Sequence, residues 1–103
     1  MEILLQLEGM SLAKKDKWGW ITFERPEALN AFGTGATIRF ERLVLALGED
    51  PDIRIVVVRG TGRAFCTGID LKELAAGGID MDYHHRWEHT LRRIELMEKI
   101  FIV

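Results

Sequence analysis

One stretch, Ile53-Arg54-Ile55-Val56-Val57-Val58, constrains this chain more than any other. It is a nearly unbroken β-branched run, bounded by Asp50-Pro51-Asp52 before it and Gly60-Thr61-Gly62 after it. A run of that kind lacks the polar alternation of a half-exposed strand, and predicts a strand over 53–58 buried on both faces in a parallel sheet. Upstream, Ala36, Phe40, Leu43, Val44 and Leu47 fall at i, i+4, i+7, i+8 and i+11, the apolar stripe of an amphipathic helix closed by Gly48 and Pro51. Gly33 and Gly35 each disfavour a helix by roughly 1 kcal/mol relative to alanine, so the helix is expected to begin late or to fray there.

Before this helix, Ile3–Leu7, Ser11–Lys15 and Trp18–Phe23 read as strands, the last with the aromatic and β-branched content of a paired one. The polar run Lys14-Lys15-Asp16-Lys17 is expected to form the hairpin turn, and Pro26, which lacks an N–H, ends the third strand. A hairpin, a helix and a buried strand in that order imply an α/β fold in a single domain over residues 1–103. Beyond the Gly60 turn, a short helix is expected over Asp70–Ala76, stopped by Gly77-Gly78. Tyr83, Trp87, Leu91, Ile94, Met97 and Phe101 then step by three or four residues, predicting a long helix capped by Asp80 or Asp82 and supported by the pairs Glu88–Arg92 and Glu95–Lys99. Ile100–Val103 turns apolar again, as a new strand would.

Composition narrows the function classes. A net charge of −2 offers no basic excess for phosphate neutralisation, which argues against a nucleic-acid binder. With 48% hydrophobic and 29% charged residues the balance is that of a globular protein, and no apolar run approaches the roughly 20 residues a membrane-spanning helix needs. The lone Cys66 forms no internal disulfide, and Met1–Leu5 carries no basic segment, so the expected compartment is the cytoplasm.

The stretch that carries chemistry is Val58-Arg59-Gly60-Thr61-Gly62-Arg63-Ala64-Phe65-Cys66-Thr67-Gly68-Ile69-Asp70-Leu71. A buried strand delivers the chain to a glycine-containing loop, and a helix opens at Asp70. The N–H groups near Gly68, Ile69 and Asp70 are thereby expected at a helix N-terminus, where unpaired donors and a partial positive charge favour an anion or a developing oxyanion. Gly68 permits close approach of a ligand or a second backbone. The same turn also occurs in α/β folds without any site.

Three motifs in order, Arg25-Pro26-Glu27-Ala28-Leu29-Asn30-Ala31, Asp50–Val58 and Gly60–Leu71, make the chain resemble the N-terminal half of the enoyl-CoA hydratase/isomerase (crotonase) family. The resemblance implies a partial crotonase-like spiral of β-β-α turns that binds an acyl-CoA thioester, with coenzyme A entering only as part of the substrate and no other cofactor. It implies that the backbone N–H of Ile69, after Gly68, is one of two donors to the thioester enolate oxygen. Removing such a donor costs roughly 2.7–4 kcal/mol in the barrier. By the same resemblance, Ala64, Phe65 and Thr67 belong to the loop that grips adenine, Glu27, Ala28 and Leu29 line the nucleotide, and Asp70 lies beside them. Family members are more than twice this length. The second oxyanion glycine, the acid and base glutamates, and the C-terminal helices of a trimer or hexamer are all expected beyond Val103, so the chain is expected to be inactive alone.

Other residues carry plainer readings. Cys66 has no flanking histidine and is expected to be buried filler; His84, His85 and His89 are expected on a solvated helix face, with no third ligand or metal-binding pattern. Trp18, Trp20, Phe23 and Trp87 are expected to pack in the core. Gly60-Thr61-Gly62 lacks the third glycine and acidic partner of a dinucleotide loop. Asp70 is read as a helix cap, with Lys72 and Glu73 facing solvent and Lys72 a lesser candidate for a CoA phosphate. The competing classes are a non-catalytic module that binds CoA or docks a partner, motivated by the apolar final strand and helix stripe, and an ordinary small α/β domain.

Overall fold

The computed structural model describes all 103 residues, Met1–Val103. Five strands form one sheet in chain order: β1 (Glu2–Leu7), β2 (Met10–Lys15), β3 (Trp18–Phe23), β4 (Ile55–Gly60) and β5 (Ile100–Ile102). The first three are antiparallel neighbours, while β4 runs parallel to both β3 and β5. The β2–β3 turn is shorter than the sequence suggests, because Lys14 and Lys15 still pair with Gly19 and Trp18 and only Asp16-Lys17 remains to reverse the chain. Asp16 adopts φ +54, a left-handed conformation that aspartate tolerates.

Three helices complete the fold: α1 (Thr34–Gly48), α2 (Leu71–Ala75) and α3 (Met81–Glu95). The predicted stripe of α1 holds in full, with Ala36, Phe40, Leu43, Val44 and Leu47 all buried in the core beside Met10, Leu12, Ile21, Phe23 and Val56. Contrary to expectation, α1 does not begin late. Glu73, from α2, accepts a hydrogen bond from the Thr34 N–H at 2.9 Å, and the Thr37 hydroxyl donates to the Gly33 carbonyl at 2.9 Å. These contacts fasten the first turn in spite of Gly35, and they correct the reading of Glu73 as a solvent-facing side chain.

Helix α3 packs on α1 through Phe32, Phe40 and Trp87, whose ring centroids lie 5.3–5.7 Å apart. Asp80 is its cap, accepting from the Tyr83 N–H at 3.2 Å. The helix ends at Glu95, short of the predicted stripe; Met97 and Phe101 still pack against the core, but from a turn and from β5. Lys99 therefore has no helical partner in Glu95. Its ammonium instead donates to the carbonyls of Asp50 and Ile53 at 2.8 and 2.6 Å, holding β5 against the approach to β4, and burial there lowers its pKa. Leu91, placed on the stripe by spacing, is exposed, and Thr90 takes the buried position.

The buried side of the sheet carries Gly19, Ile21, Phe23, Val56 and Val58. The opposite side carries Trp18, Trp20, Ile55 and Val57, none of them fully buried, so the expectation of a β4 buried on both faces is met on one face only. Trp18 and Trp20 accordingly leave the predicted core: they stack on each other at 6.0 Å, and the Arg59 guanidinium lies 5.0 Å from the Trp20 ring.

Candidate functional site

Two loops build the site. The first leaves β3 and makes a short 3-10 turn over Pro26–Ala28 before Leu29 and Asn30 adopt left-handed φ of +53 and +55. The second leaves β4 at Gly60 and runs through Ala64 to Ile69. Asn30 joins them. It is 2% exposed; its Oδ1 accepts from the Arg25 N–H at 2.8 Å, and its Nδ2 donates to the carbonyls of Thr61 and Ala64 at 3.0 and 2.9 Å. Gly60 lies beneath this knot, where a Cβ would fall 2.4 Å from the Phe65 carbonyl oxygen and 2.8 Å from Asn30 Nδ2. A second link is the Thr67 hydroxyl, which donates to the Leu29 carbonyl at 3.4 Å.

Farther along, Phe32 and Ile69 form an isolated parallel bridge. The Phe32 N–H donates to the Gly68 carbonyl at 2.7 Å and the Asp70 N–H donates to the Phe32 carbonyl at 2.9 Å. In a parallel ladder, one residue bonds to the two neighbours of its opposite number, which turns that opposite residue's own N–H and C=O the other way. The Ile69 N–H thus points away from Phe32 and makes no hydrogen bond within the chain. Gly68, at φ +93, makes the bend that delivers it, and a Cβ there would meet nothing within 4 Å, so the space before this backbone is open.

The donor is free for a different reason from the one the sequence suggests. Asp70 caps α2, its carboxylate accepting from the N–H groups of Lys72 and Glu73 at 3.0 and 3.2 Å, so those first-turn donors are already satisfied, and the Asp70 amide is taken by Phe32. It is the long-range bridge, more than the helix end, that leaves Ile69 available.

Ile69 opens into a cleft of about 570 Å³ between the two loops. Of the residues expected at the site, Glu27, Ala28, Leu29, Thr67, Ile69 and Asp70 line this cleft together. Ala64 and Phe65 do not: the Ala64 carbonyl accepts from Asn30, and the Phe65 ring packs 5.4 Å from Phe23. Arg25 and Lys72 supply positive charge to the cleft, Arg25 standing 3.8 Å from Glu27 and 3.7 Å from Asp70. Sequence reasoning missed Arg25 as a wall of the cleft and Asn30 as its fastener; an asparagine closing a proline-led turn segment was the available signal. His85 and His89 instead border a separate, wholly polar groove of about 390 Å³ along α3, where Arg86 is paired with Glu41 at 3.2 Å.

Against known proteins, a family model described as enoyl-CoA hydratase/isomerase matches residues 14–103. The chain belongs to the enoyl-CoA hydratase/isomerase family. A probable enoyl-CoA hydratase of Mycobacterium tuberculosis is 31% identical over 84 residues, which is 78% of this chain and 33% of that protein. 3-Hydroxyisobutyryl-CoA hydrolase 1 of Arabidopsis thaliana is 43% identical over 51 residues, covering 50% of this chain and 14% of the relative. Among solved structures, an enoyl-CoA hydratase/isomerase from Marinobacter aquaeolei aligns with a TM-score of 0.76 at 25% identity, over 92% of this chain and 40% of the other. The enoyl-CoA hydratase of Mycobacterium tuberculosis H37Rv aligns with a TM-score of 0.62 at 32% identity, over 70% and 32%. This crotonase-family chain spans about one third of the length of the first of these relatives.

Proposed function

We propose that this chain supplies one backbone donor of an oxyanion hole, together with the nucleotide-side wall, of an acyl-CoA-handling site. The observation that carries the reading is an Ile69 amide without a partner in the chain, on a residue that lines a cleft shared by both loops. A thioester oxygen accepting from that amide gains most when charge develops on it, as it does when an enolate forms, because a fixed donor needs no reorganisation at that moment. Glu27, Ala28 and Leu29 line the coenzyme side with Thr67 and Asp70, and Arg25 and Lys72 are the cations within reach of its phosphates. The chain's family membership supports the same substrate class.

Neither cleft carboxylate suits an acid–base role on water. Asp70 is held as a helix cap, and Glu27 is exposed beside Arg25. The 103-residue chain is therefore expected to bind a thioester without hydrating an enoyl-CoA. A second reading, a module that binds CoA or docks a partner without catalysis, draws on the exposed Trp18, Ile100 and Ile102 on the open side of the sheet.

Amide-resolved NMR titration of the labelled chain with butyryl-CoA, and separately with CoA, tests the proposal. The Ile69 amide proton is expected to move downfield with the thioester and much less with CoA alone, while both ligands shift Leu29, Thr67 and Lys72. Equal shifts at Ile69 from both ligands would favour the CoA-binding module, and no response in the cleft from either would overturn the assignment.

A further inference from the structure

Tyr83 is the sole tyrosine of the chain and is 4% exposed. Its hydroxyl donates to the Phe32 carbonyl at 3.3 Å, and the same carbonyl accepts from the Asp70 N–H at 2.9 Å. A carbonyl oxygen has two lone pairs, and here both are engaged. The peptide plane after Phe32 is thereby held by two donors, the backbone N–H of the cleft-lining Asp70 and the hydroxyl of a buried α3 side chain. That plane is half of the bridge that turns the Ile69 N–H outward.

We infer that Tyr83 is a positioning residue for the Ile69 amide, aiming it into the cleft through the shared Phe32 carbonyl; the inference rests on the reading of that amide as the thioester's donor. The phenol is itself well located for the task. Asp80 caps the turn of α3 that bears it, and its ring packs edge-on to Trp87, 6.5 Å between centroids, which in turn leans on Phe32 at 5.3 Å. The Phe32 side chain and the Phe32 carbonyl are thus both braced from one helix face. A donor in an oxyanion site acts through a fixed direction, and small misalignment weakens it steeply. Lys72 and Leu29, on the other walls, do not depend on this bond, so loss of the hydroxyl affects recognition of the thioester carbonyl and leaves the coenzyme contacts intact.

The test is Tyr83→Phe in the full chain, compared with wild type by the same amide-resolved titration with butyryl-CoA and CoA. The gain in affinity of butyryl-CoA over CoA is expected to fall about five-fold, the equivalent of one ordinary hydrogen bond. The downfield movement of the Ile69 proton should shrink with it while CoA affinity stays constant. An unchanged preference in Tyr83→Phe, where wild type shows a preference, overturns the inference and leaves the donor assignment standing. A wild type without any preference overturns the donor assignment first. Should the variant fold poorly, 4-fluorophenylalanine placed at this single tyrosine fills the space of the hydroxyl without a proton to donate. The thioester preference should then fall as it does in Tyr83→Phe, and an unchanged preference refutes the role.

Discussion

Asn30 offers the sharpest test of how the two loops are held. Its side chain makes three hydrogen bonds to backbone groups of both loops, from a position 2% exposed. Truncation to alanine leaves the Arg25 N–H and the Thr61 and Ala64 carbonyls without partners, at about 1 kcal/mol each. Holding alanine at the observed φ of +55 adds about 1 kcal/mol more. The expected loss is therefore about 4 kcal/mol, a large part of the roughly 5–15 kcal/mol that stabilises a typical domain. With a urea slope of about 2 kcal/mol per molar, the midpoint followed by tryptophan fluorescence should fall by about 2 M. Asn30→Asp probes the same contacts through charge. It keeps an acceptor for the Arg25 N–H but turns a carboxylate oxygen toward two carbonyls 3.0 and 2.9 Å from the native nitrogen, so it should lose at least as much as alanine at neutral pH and recover in part once the carboxyl is protonated. If Asn30→Ala unfolds within about 1 kcal/mol of wild type, Asn30 does not fasten the loops and the reasoning fails.

Three further outcomes follow from single contacts. Glu73→Ala removes the long-range cap of α1 and should lower stability by about 1 kcal/mol, whereas Gly33→Ala drives a Cβ into the Glu73 carboxylate; a double-mutant cycle by urea unfolding should show Gly33→Ala far better tolerated when Glu73 is already alanine. The Lys14 ammonium donates to Asp50 at 3.0 Å and holds the Asp50 carboxyl below its ordinary value of 3.8, so this pairing stabilises the fold above about pH 4 and is lost as pH falls through the lowered value. Lys14 is raised above 10.5 by the same hydrogen bond, and its share persists until pH rises through that raised value. Urea midpoints across the acid range should therefore fall less steeply for Asp50→Asn than for wild type, and parallel curves would refute the linkage. Ile69→Pro deletes an N–H that makes no bond within the chain, so the Asp70 amide should stay protected in hydrogen exchange while the preference for butyryl-CoA over CoA disappears.

What the sequence disclosed and what it withheld divide along one physical line. The α1 stripe, the Asp70 and Asp80 caps and the parallel β4 rest on periodicity and on bonds spanning two to four residues, and each is present in the fold. The errors lie where a distant partner overrides local preference. Spacing carried the α3 stripe through Met97 and Phe101, but Lys99 is drawn to carbonyls near β4 and the chain pairs as β5, so the two residues reach the core from outside the helix. Alternation in β3 puts Trp18 and Trp20 on one face and Ile21 and Phe23 on the other, but the expectation that all the aromatics pack in the core ignored it; only the placement of helices decides which side is covered, and α1 and α3 lie together, packed on each other. The site belongs to the same category. Its residues were recognisable as a motif, but the free direction of the Ile69 amide arises from a bridge to Phe32, 37 positions earlier, and the cleft wall from an asparagine bonding 31 and 34 positions ahead. The start of α2 alone does not account for the free Ile69 N–H; the bridge to Phe32 does. The difference is testable, because a donor set by the bridge responds to Tyr83 on α3, whereas one set by the first turn of α2 would respond to Asp70 alone.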